Sequence, residues 1–220
     1  YPNNPTGAVA TAKFYTDTVA FAEEKQVGIV SDFAYGAIGF DGQKPLSFLQ
    51  TKGAKSVGIE TYTFSKTFNM AGWRVGFAVG NAEMIEALNL IQDHLFVSLF
   101  PAVQDAAIEA LANQTARQES VSNLVALYEK RRDAFVTAVT KFGWTPYVPK
   151  GAFYVLMPVP EGYTSSTFAD LLLEEANVAV ADASGFGDGG EGYIRVGLTV
   201  EAERLIAAAE RISQLPIFRQ

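Results

Sequence analysis

The sequence predicts an α/β protein: part of a larger domain with a parallel-rich sheet, followed by a smaller C-terminal α+β domain. Short β-branched and aromatic segments alternate with helical segments up to about residue 97, which is typical of a parallel sheet covered by helices. A long helical stretch then runs from 101 to about 142, and short strands follow it. We therefore expect the larger domain at residues 1–115. The small domain, 116–220, would be entered by a long connecting helix.

The larger domain begins with a turn rich in Pro, Asn and Gly at residues 1–7. Residues 13–25 carry apolar side chains among polar ones, as in an amphipathic helix. Strands are predicted at 27–30, 56–64 and 74–79, and a helix runs from 81 to about 97. Because parallel sheets place functional groups at the carboxyl ends of their strands, Asp32 and Lys66 are candidates for a site.

The small domain follows the long helix, which Gly143 is expected to end. Strands are predicted at 144–148, 152–157, 178–181 and 193–196, and helices at 166–176 and 201–212 separate them. Arg195 lies within the last of these strands. No internal repeat or flexible linker interrupts the pattern.

Composition excludes several classes of function. Lys and Arg total 17 against 24 Asp and Glu, a net charge of −7, so the surface lacks the basic footprint that nucleic acid needs. The absence of cysteine excludes disulfides and thiolate metal sites, and a single histidine excludes a multi-histidine centre, so no metal is expected. We find neither an apolar run of about 18 residues nor a leader pattern. We therefore expect a cytoplasmic protein without a membrane partner.

Each candidate residue is weak evidence when taken alone. Asn4–Gly7 is typical of a turn, and Asp32 could be a helix N-cap. Lys66 is of a type most often found on the surface. Arg74 and Arg195 would by default form surface ion pairs worth under about 1 kcal/mol. Only the combined pattern points to a site.

The combined pattern centres on Thr63–Arg74 (TFSKTFNMAGWR), where an arginine follows Lys66 by eight residues among hydroxyls and glycine. Asp32–Tyr35 (DFAY) and Asn4–Gly7 (NPTG) precede it, and Tyr193–Val196 (YIRV) follows. In this order and spacing, the motifs resemble those of the class I/II aminotransferases, which are fold-type I pyridoxal 5′-phosphate (PLP) enzymes. The resemblance covers the whole chain. It is nearest to the methionine-salvage, diaminopimelate and aspartate-type transaminases.

The resemblance implies a PLP cofactor held covalently by the amine of Lys66. That amine would then carry a proton between substrate and cofactor, as general base and then acid. Asp32 matches the carboxylate that keeps the pyridine nitrogen protonated, so that the ring can act as an electron sink. Tyr35 and Asn4 match the groups that hydrogen-bond the ring's phenolic oxygen.

The resemblance also assigns the anionic groups of cofactor and substrate. Arg74 matches the guanidinium that binds the cofactor phosphate, with Thr63 as its hydroxyl partner and Ser65 as a further candidate. Arg195 matches the bidentate clamp for the substrate α-carboxylate, and Asn4 is a substrate-binding candidate as well.

The activity implied is transfer of an amino group between an amino acid and a 2-oxo acid by a homodimer. We expect 4-methylthio-2-oxobutanoate as acceptor, with glutamine or glutamate as donor. Two alternatives stay open: a PLP-dependent C–S lyase that uses the same residues, and a non-catalytic dimerisation fragment. Because the chain opens inside a turn, we interpret it as an N-terminally truncated enzyme. We expect it to bind PLP poorly and to be inactive alone.

Overall fold

The structure is a computed structural model that describes residues 1–219. It divides into two compact units: the first comprises Tyr1–Pro2 and Val9–Leu124, and the second comprises Asn3–Ala8 and the chain from Val125 onward. The division falls inside one long helix, α6 (Gln114–Thr140). The predicted α/β fold class is confirmed. The domain boundary expected after residue 115 stays a prediction.

The first unit alternates helices with three strands. Its regular elements besides the start of α6 are α1 (Ala12–Lys25), β1 (Ile29–Asp32), α2 (Ala54–Val57), β2 (Gly58–Thr63), α3 (Phe64–Thr67), β3 (Gly76–Gly80), α4 (Ala82–Ile91) and α5 (Pro101–Ala112). Short 3-10 helices cover Phe48–Gln50 and Ala71–Trp73, and a π-helical turn, Gln92–Phe96, extends α4.

The three strands form one mixed sheet in the order β1-β2-β3. β1 and β2 are parallel, with Asp32 opposite Thr61, whereas β2 and β3 are antiparallel, with Thr63 opposite Gly76. The alternation of strands and helices predicts parallel pairing, which is observed for β1 and β2 but not for β3. The connection from β2 to β3, residues 64–75, contains only the four-residue α3 and a 3-10 turn, and no helix long enough to return the chain along the sheet for a parallel strand. The carboxyl ends of β1 and β2 therefore meet the start of β3 at one edge of the sheet, which we call the site edge.

Two apolar clusters support this sheet. One joins Tyr15 and Val19 of α1 to Phe48 and Ala54, and the other joins Phe64, Val75 and Ala107. The long helix predicted from 101 to 142 is interrupted at Asn113, whose backbone is extended and whose Oδ1 accepts from the N–H of Ala116 at 3.0 Å. That contact is an N-cap, so a second helix begins there.

The second unit packs two helices and the end of α6 with a small antiparallel sheet. Its elements are β4 (Tyr154–Pro158), α7 (Ser165–Ala176), β5 (Ala181–Asp182), β6 (Tyr193–Gly197) and α8 (Ala202–Ser213), with strand order β4-β6-β5. The strand expected at 144–148 forms only an isolated bridge between Tyr147 and Leu156. Trp144 is instead buried, and its Nε1 donates to the carbonyl of Pro158 at 2.8 Å.

Helix boundaries in this unit follow local signals. Thr164 caps α7 with a reciprocal capping box through Thr167. α8 buries Leu205, Ala209 and Ile212 along one face, as an amphipathic helix does. Across residues 1–219, no helix has both the length and the apolar character that crossing a membrane would require.

Candidate active site

The site edge collects the candidate residues of the first unit. Asp32 is the last residue of β1 and is exposed. Lys66 lies in α3, which begins directly after β2, and it is half-buried. Because β1 and β2 are parallel neighbours, the carboxylate of Asp32 and the amine of Lys66 both follow strands that end at this edge.

Two hydroxyl side chains lie where β2 ends and α3 begins. Thr63 is the N-cap of α3: its Oγ1 accepts from the backbone N–H of Ser65 at 3.1 Å. The same hydroxyl donates to Ser65 Oγ at 2.8 Å. The turn that leads to Lys66 is therefore fixed by local hydrogen bonds, and both hydroxyls lie at its start.

Arg74 reaches the site edge from the other direction, two residues before β3. Its backbone is left-handed at φ 53°, which costs an L-residue about 1–2 kcal/mol. Its side chain is exposed, and Nη1 donates to the carbonyl of Ala71 at 2.9 Å. Arg74 is the C-cap of the 3-10 helix Ala71–Trp73, and its left-handed backbone ends that helix shortly before β3.

Tyr35 follows Asp32 by three residues and is buried. The chain turns there, because the N–H of Gly36 donates to the carbonyl of Phe33 at 3.1 Å and that of Ile38 donates to the carbonyl of Tyr35 at 2.8 Å. The turn keeps Tyr35 in the segment directly after β1.

The second unit contains the other two candidates, Asn4 and Arg195, and joins them. Arg195 Nη1 donates to Asn4 Oδ1 at 2.7 Å. Arg195 Nε is buried and has no hydrogen-bond partner among the described residues. A buried N–H donor left without a partner costs about 1–3 kcal/mol. The guanidinium thus retains a donor suited to an anionic ligand.

The segment that carries Asn4 is anchored at its far end. The carbonyl of Gly7 accepts from the N–H groups of Lys150 and Gly151, each at 3.0 Å. Gly7 has φ 66°, and a Cβ there would collide with the ring of Pro149 and the carbonyl of Gly151. The glycine of the NPTG motif is therefore required by close approach of backbone.

Two aromatic rings that sequence reasoning did not assign to the site enclose Arg195. Its Cζ lies 4.3 Å from the ring centroid of Tyr154 and 4.6 Å from that of Phe186. Tyr154 lies in the strand predicted at 152–157, and Phe186 lies in the segment before the strand predicted at 193–196. No local sequence signal could have placed these rings beside Arg195, because their position depends on β4 and β5 both pairing with β6.

The structure therefore groups the predicted residues into two sets, one in each unit. The first unit contains a carboxylate, an amine, a guanidinium and hydroxyls at one sheet edge: Asp32, Tyr35, Thr63, Ser65, Lys66 and Arg74. The second contains the Asn4–Arg195 pair. The chemistry of the first set matches PLP, which presents a ring nitrogen, a phenolic oxygen, an aldehyde and a phosphate dianion.

Comparison of the whole chain with known proteins points to one family. The model of aminotransferase class I and II matches residues 1–212. The L-glutamine–4-(methylsulfanyl)-2-oxobutanoate aminotransferase of Bacillus subtilis strain 168 is 63% identical over 220 residues, covering 100% of this chain and 54% of the relative. The LL-diaminopimelate aminotransferase of Halothermothrix orenii is 44% identical over 217 residues, covering 99% and 55%.

Solved structures agree. The substrate-bound structure of BacF from Bacillus subtilis superposes with a TM-score of 0.92 at 47% identity, covering 97% of this chain and 54% of that one. The chain spans about half the length of the curated relatives it matches.

Proposed function

Because this chain belongs to the class I and II aminotransferases, we propose that the whole protein containing it is a PLP-dependent transaminase. It transfers an amino group between an amino acid and a 2-oxo acid. The observation that carries the proposal is the convergence of Asp32, Lys66 and Arg74 on the site edge. A carboxylate, an amine and a guanidinium at the end of a sheet match an anionic, nitrogen-containing cofactor better than they match a packing role.

Each residue of the site edge has a defined task in this proposal. The carboxylate of Asp32 holds the proton on the ring nitrogen, and each unit by which it raises the pKa of that nitrogen is worth about 1.36 kcal/mol. Arg74 and the hydroxyl of Thr63 bind the phosphate, with Ser65 adjoining. The hydrogen bond of Arg74 to the Ala71 carbonyl uses one of its five N–H donors, so the guanidinium can also bind the anion.

Lys66 attaches the cofactor and afterwards carries the proton at the substrate α-carbon. When bound, PLP supplies the electron sink that stabilises negative charge at that carbon. Tyr35 is proposed to bind the phenolic oxygen. The half-buried position of Lys66 in a turn held by the hydroxyls of Thr63 and Ser65 supports a fixed amine.

Arg195 is proposed to bind the substrate carboxylate. The buried, unpartnered Nε supports this, because a carboxylate would supply the missing acceptor. Asn4 holds the guanidinium through Oδ1. An amide whose oxygen accepts from a guanidinium keeps its Nδ2 hydrogens for another acceptor, so Asn4 can also serve the phenolic oxygen or the substrate.

For the substrates we propose 4-methylthio-2-oxobutanoate as acceptor and glutamine or glutamate as donor. The 63% identity to the Bacillus subtilis relative named for that reaction supports this choice. A cytoplasmic homodimer is proposed as the working form, on the resemblance to the family.

The test compares the whole protein with its Lys66→Ala variant after incubation with PLP. We expect an absorbance band near the visible edge in the parent and no such band in the variant. Borohydride should abolish the band in the parent, because hydride addition reduces the imine at Lys66 to a secondary amine and leaves the cofactor permanently attached. Lys55→Ala, a lysine on α2 at the opposite end of β2, is the control and should keep the band. A parent protein that takes up no PLP would refute the proposal, and pyruvate with thiol as products would point to the C–S lyase instead.

The 220-residue chain on its own is expected to bind PLP poorly and to show no transaminase activity. The same absorbance measurement on the purified chain checks this expectation. A borohydride-sensitive band that is lost in Lys66→Ala of the isolated chain would contradict it.

A further inference from the structure

Glu60 is a fully buried carboxylate that the proposed chemistry does not use. It lies in the middle of β2 with no exposed surface. Its Oε1 accepts from Ser47 Oγ at 2.7 Å, and its Oε2 accepts from the N–H of Phe48 at 2.8 Å and from Ser31 Oγ at 3.2 Å. Burying a carboxylate costs several kcal/mol unless hydrogen-bond donors surround it. The Glu60 carboxylate and these three donors therefore form a hydrogen-bonded polar cluster within the core.

The donors come from three separate parts of the first unit. Ser31 belongs to β1 and is the register partner of Glu60 across the parallel pair. Ser47 and Phe48 begin the 3-10 helix that precedes β2, and the Phe48 side chain is itself fully buried. One carboxylate therefore joins β1, β2 and the segment that connects them.

Two tyrosines near Glu60 have raised pKa values. Burial, and then the charge of Glu60, raise the pKa of Tyr15 to about 12. Burial and Glu60 also raise the pKa of Tyr62, which is hydrogen-bonded to that carboxylate. Both phenols remain protonated at neutral pH. Glu60 itself has no exposed surface, and a hydrogen bond to a charged group is stronger away from water.

The position of this network relates it to the site edge. Ser31 directly precedes Asp32, and Glu60 lies three residues before Thr63, where β2 ends and the Lys66 turn begins. A one-residue slip of β1 against β2 would turn Asp32 to the other face of the sheet. The Ser31–Glu60 hydrogen bond holds β1 and β2 in register at the residue pair next to Asp32.

We propose that Glu60 is a positioning residue for the site edge: with Ser31 it holds the strand end that carries Asp32 against the strand end that leads to Lys66. It touches neither cofactor nor substrate. This inference rests on the proposed function, because it concerns the geometry of the same site.

The experiment uses the whole protein with Glu60→Gln and Ser31→Ala, each saturated with PLP. Glu60→Gln keeps the shape of the side chain but removes the charge and one acceptor, and Ser31→Ala removes only the link to β1. Asn81→Ala is the matched control. It loses the N-cap of α4 and the bond to the Ser56 carbonyl, a comparable loss of stability at the opposite end of the sheet.

We expect kcat to fall roughly 10- to 100-fold in both variants at saturating PLP, because misplacing reacting groups by about 1 Å costs about that much. The KM for the amino donor should stay within about threefold, since Arg195 is unchanged. The pH midpoint of the absorbance of bound PLP should also move. A merely structural role would lower the melting temperature and leave kcat per folded molecule and that midpoint unchanged, as expected for Asn81→Ala.

The inference is overturned if Glu60→Gln and Ser31→Ala lose stability as Asn81→Ala does but keep the kcat and the absorbance titration of the parent. That result would leave the proposed function standing. Failure of the parent protein to take up PLP would overturn both. If Glu60→Gln does not fold, Ser31→Ala decides the question, because it leaves the bonds to Ser47 and Phe48 in place.

Discussion

Replacing Arg195 with lysine tests the proposed carboxylate clamp without removing its charge. The guanidinium donates to Asn4 at 2.7 Å and lies 4.3 Å and 4.6 Å from the ring centroids of Tyr154 and Phe186. Lysine has the same charge but neither the planar fork nor the flat face that these contacts need. Arg195→Lys should therefore keep the positive charge at this position but lose the contacts that orient it.

The magnitude follows from the hydrogen bond to the substrate carboxylate that lysine cannot make. An arginine fork binds a carboxylate through two parallel N–H···O bonds, whereas the ammonium of lysine binds it as a point charge. A hydrogen bond to a charged group contributes about 1.5–3 kcal/mol, so we expect a loss of about 2–3 kcal/mol in binding the substrate carboxylate. At about 1.4 kcal/mol per factor of ten, KM should rise roughly 30- to 150-fold.

The assay is steady-state kinetics of the whole protein with amino donor and 2-oxo acid varied separately. Both KM values should rise together, because both substrates carry the same carboxylate, while the PLP absorbance band should be unchanged. Arg204→Lys, on the exposed face of α8 in the same unit, is the control and should behave like the parent. A KM within about threefold of the parent value in Arg195→Lys would show that this guanidinium does not bind the substrate.

Two further predictions concern the isolated chain. Tyrosine in the unfolded chain ionises near its ordinary pKa of about 10, whereas burial raises the pKa of folded Tyr15 to about 12. The stabilising contribution of Tyr15 is therefore complete below about pH 10 and should be lost between about pH 10 and 12, a loss on the order of 2 kcal/mol. Urea unfolding from about pH 9 to 12 should show a smaller decline in the free energy of unfolding for Tyr15→Phe than for the parent, and equal declines would contradict the assignment. The side chains of Phe96 and Phe100 are 67% and 69% exposed. Replacing both with serine should reduce self-association, measured by sedimentation, and binding of an apolar dye, with little change in melting temperature. Undiminished dye binding would refute the role of these rings.

Local features of the sequence were sufficient to predict most helices and strands. The helix predicted at 166–176 is observed at Ser165–Ala176, and the strand predicted at 193–196 is observed at Tyr193–Gly197. These elements depend on capping residues and on periodicity, which involve neighbours a few positions apart. The order of the motifs around Lys66 was likewise enough to indicate the family, because each motif is a contiguous stretch.

The pairing of strands and the burial of side chains could not be predicted from local features of the sequence. The antiparallel direction of β3 depends on how its connection to β2 folds, and the aromatic enclosure of Arg195 depends on the register of three strands. Glu60 is a single polar residue within a β-branched and aromatic stretch, and only the fold gives it donors from Ser31, Ser47 and Phe48. The sequence by itself determined the elements and the chemical groups of the candidate site. The tertiary structure decided which of those groups meet, because hydrogen-bond partners and exclusion of water come from residues distant in the chain.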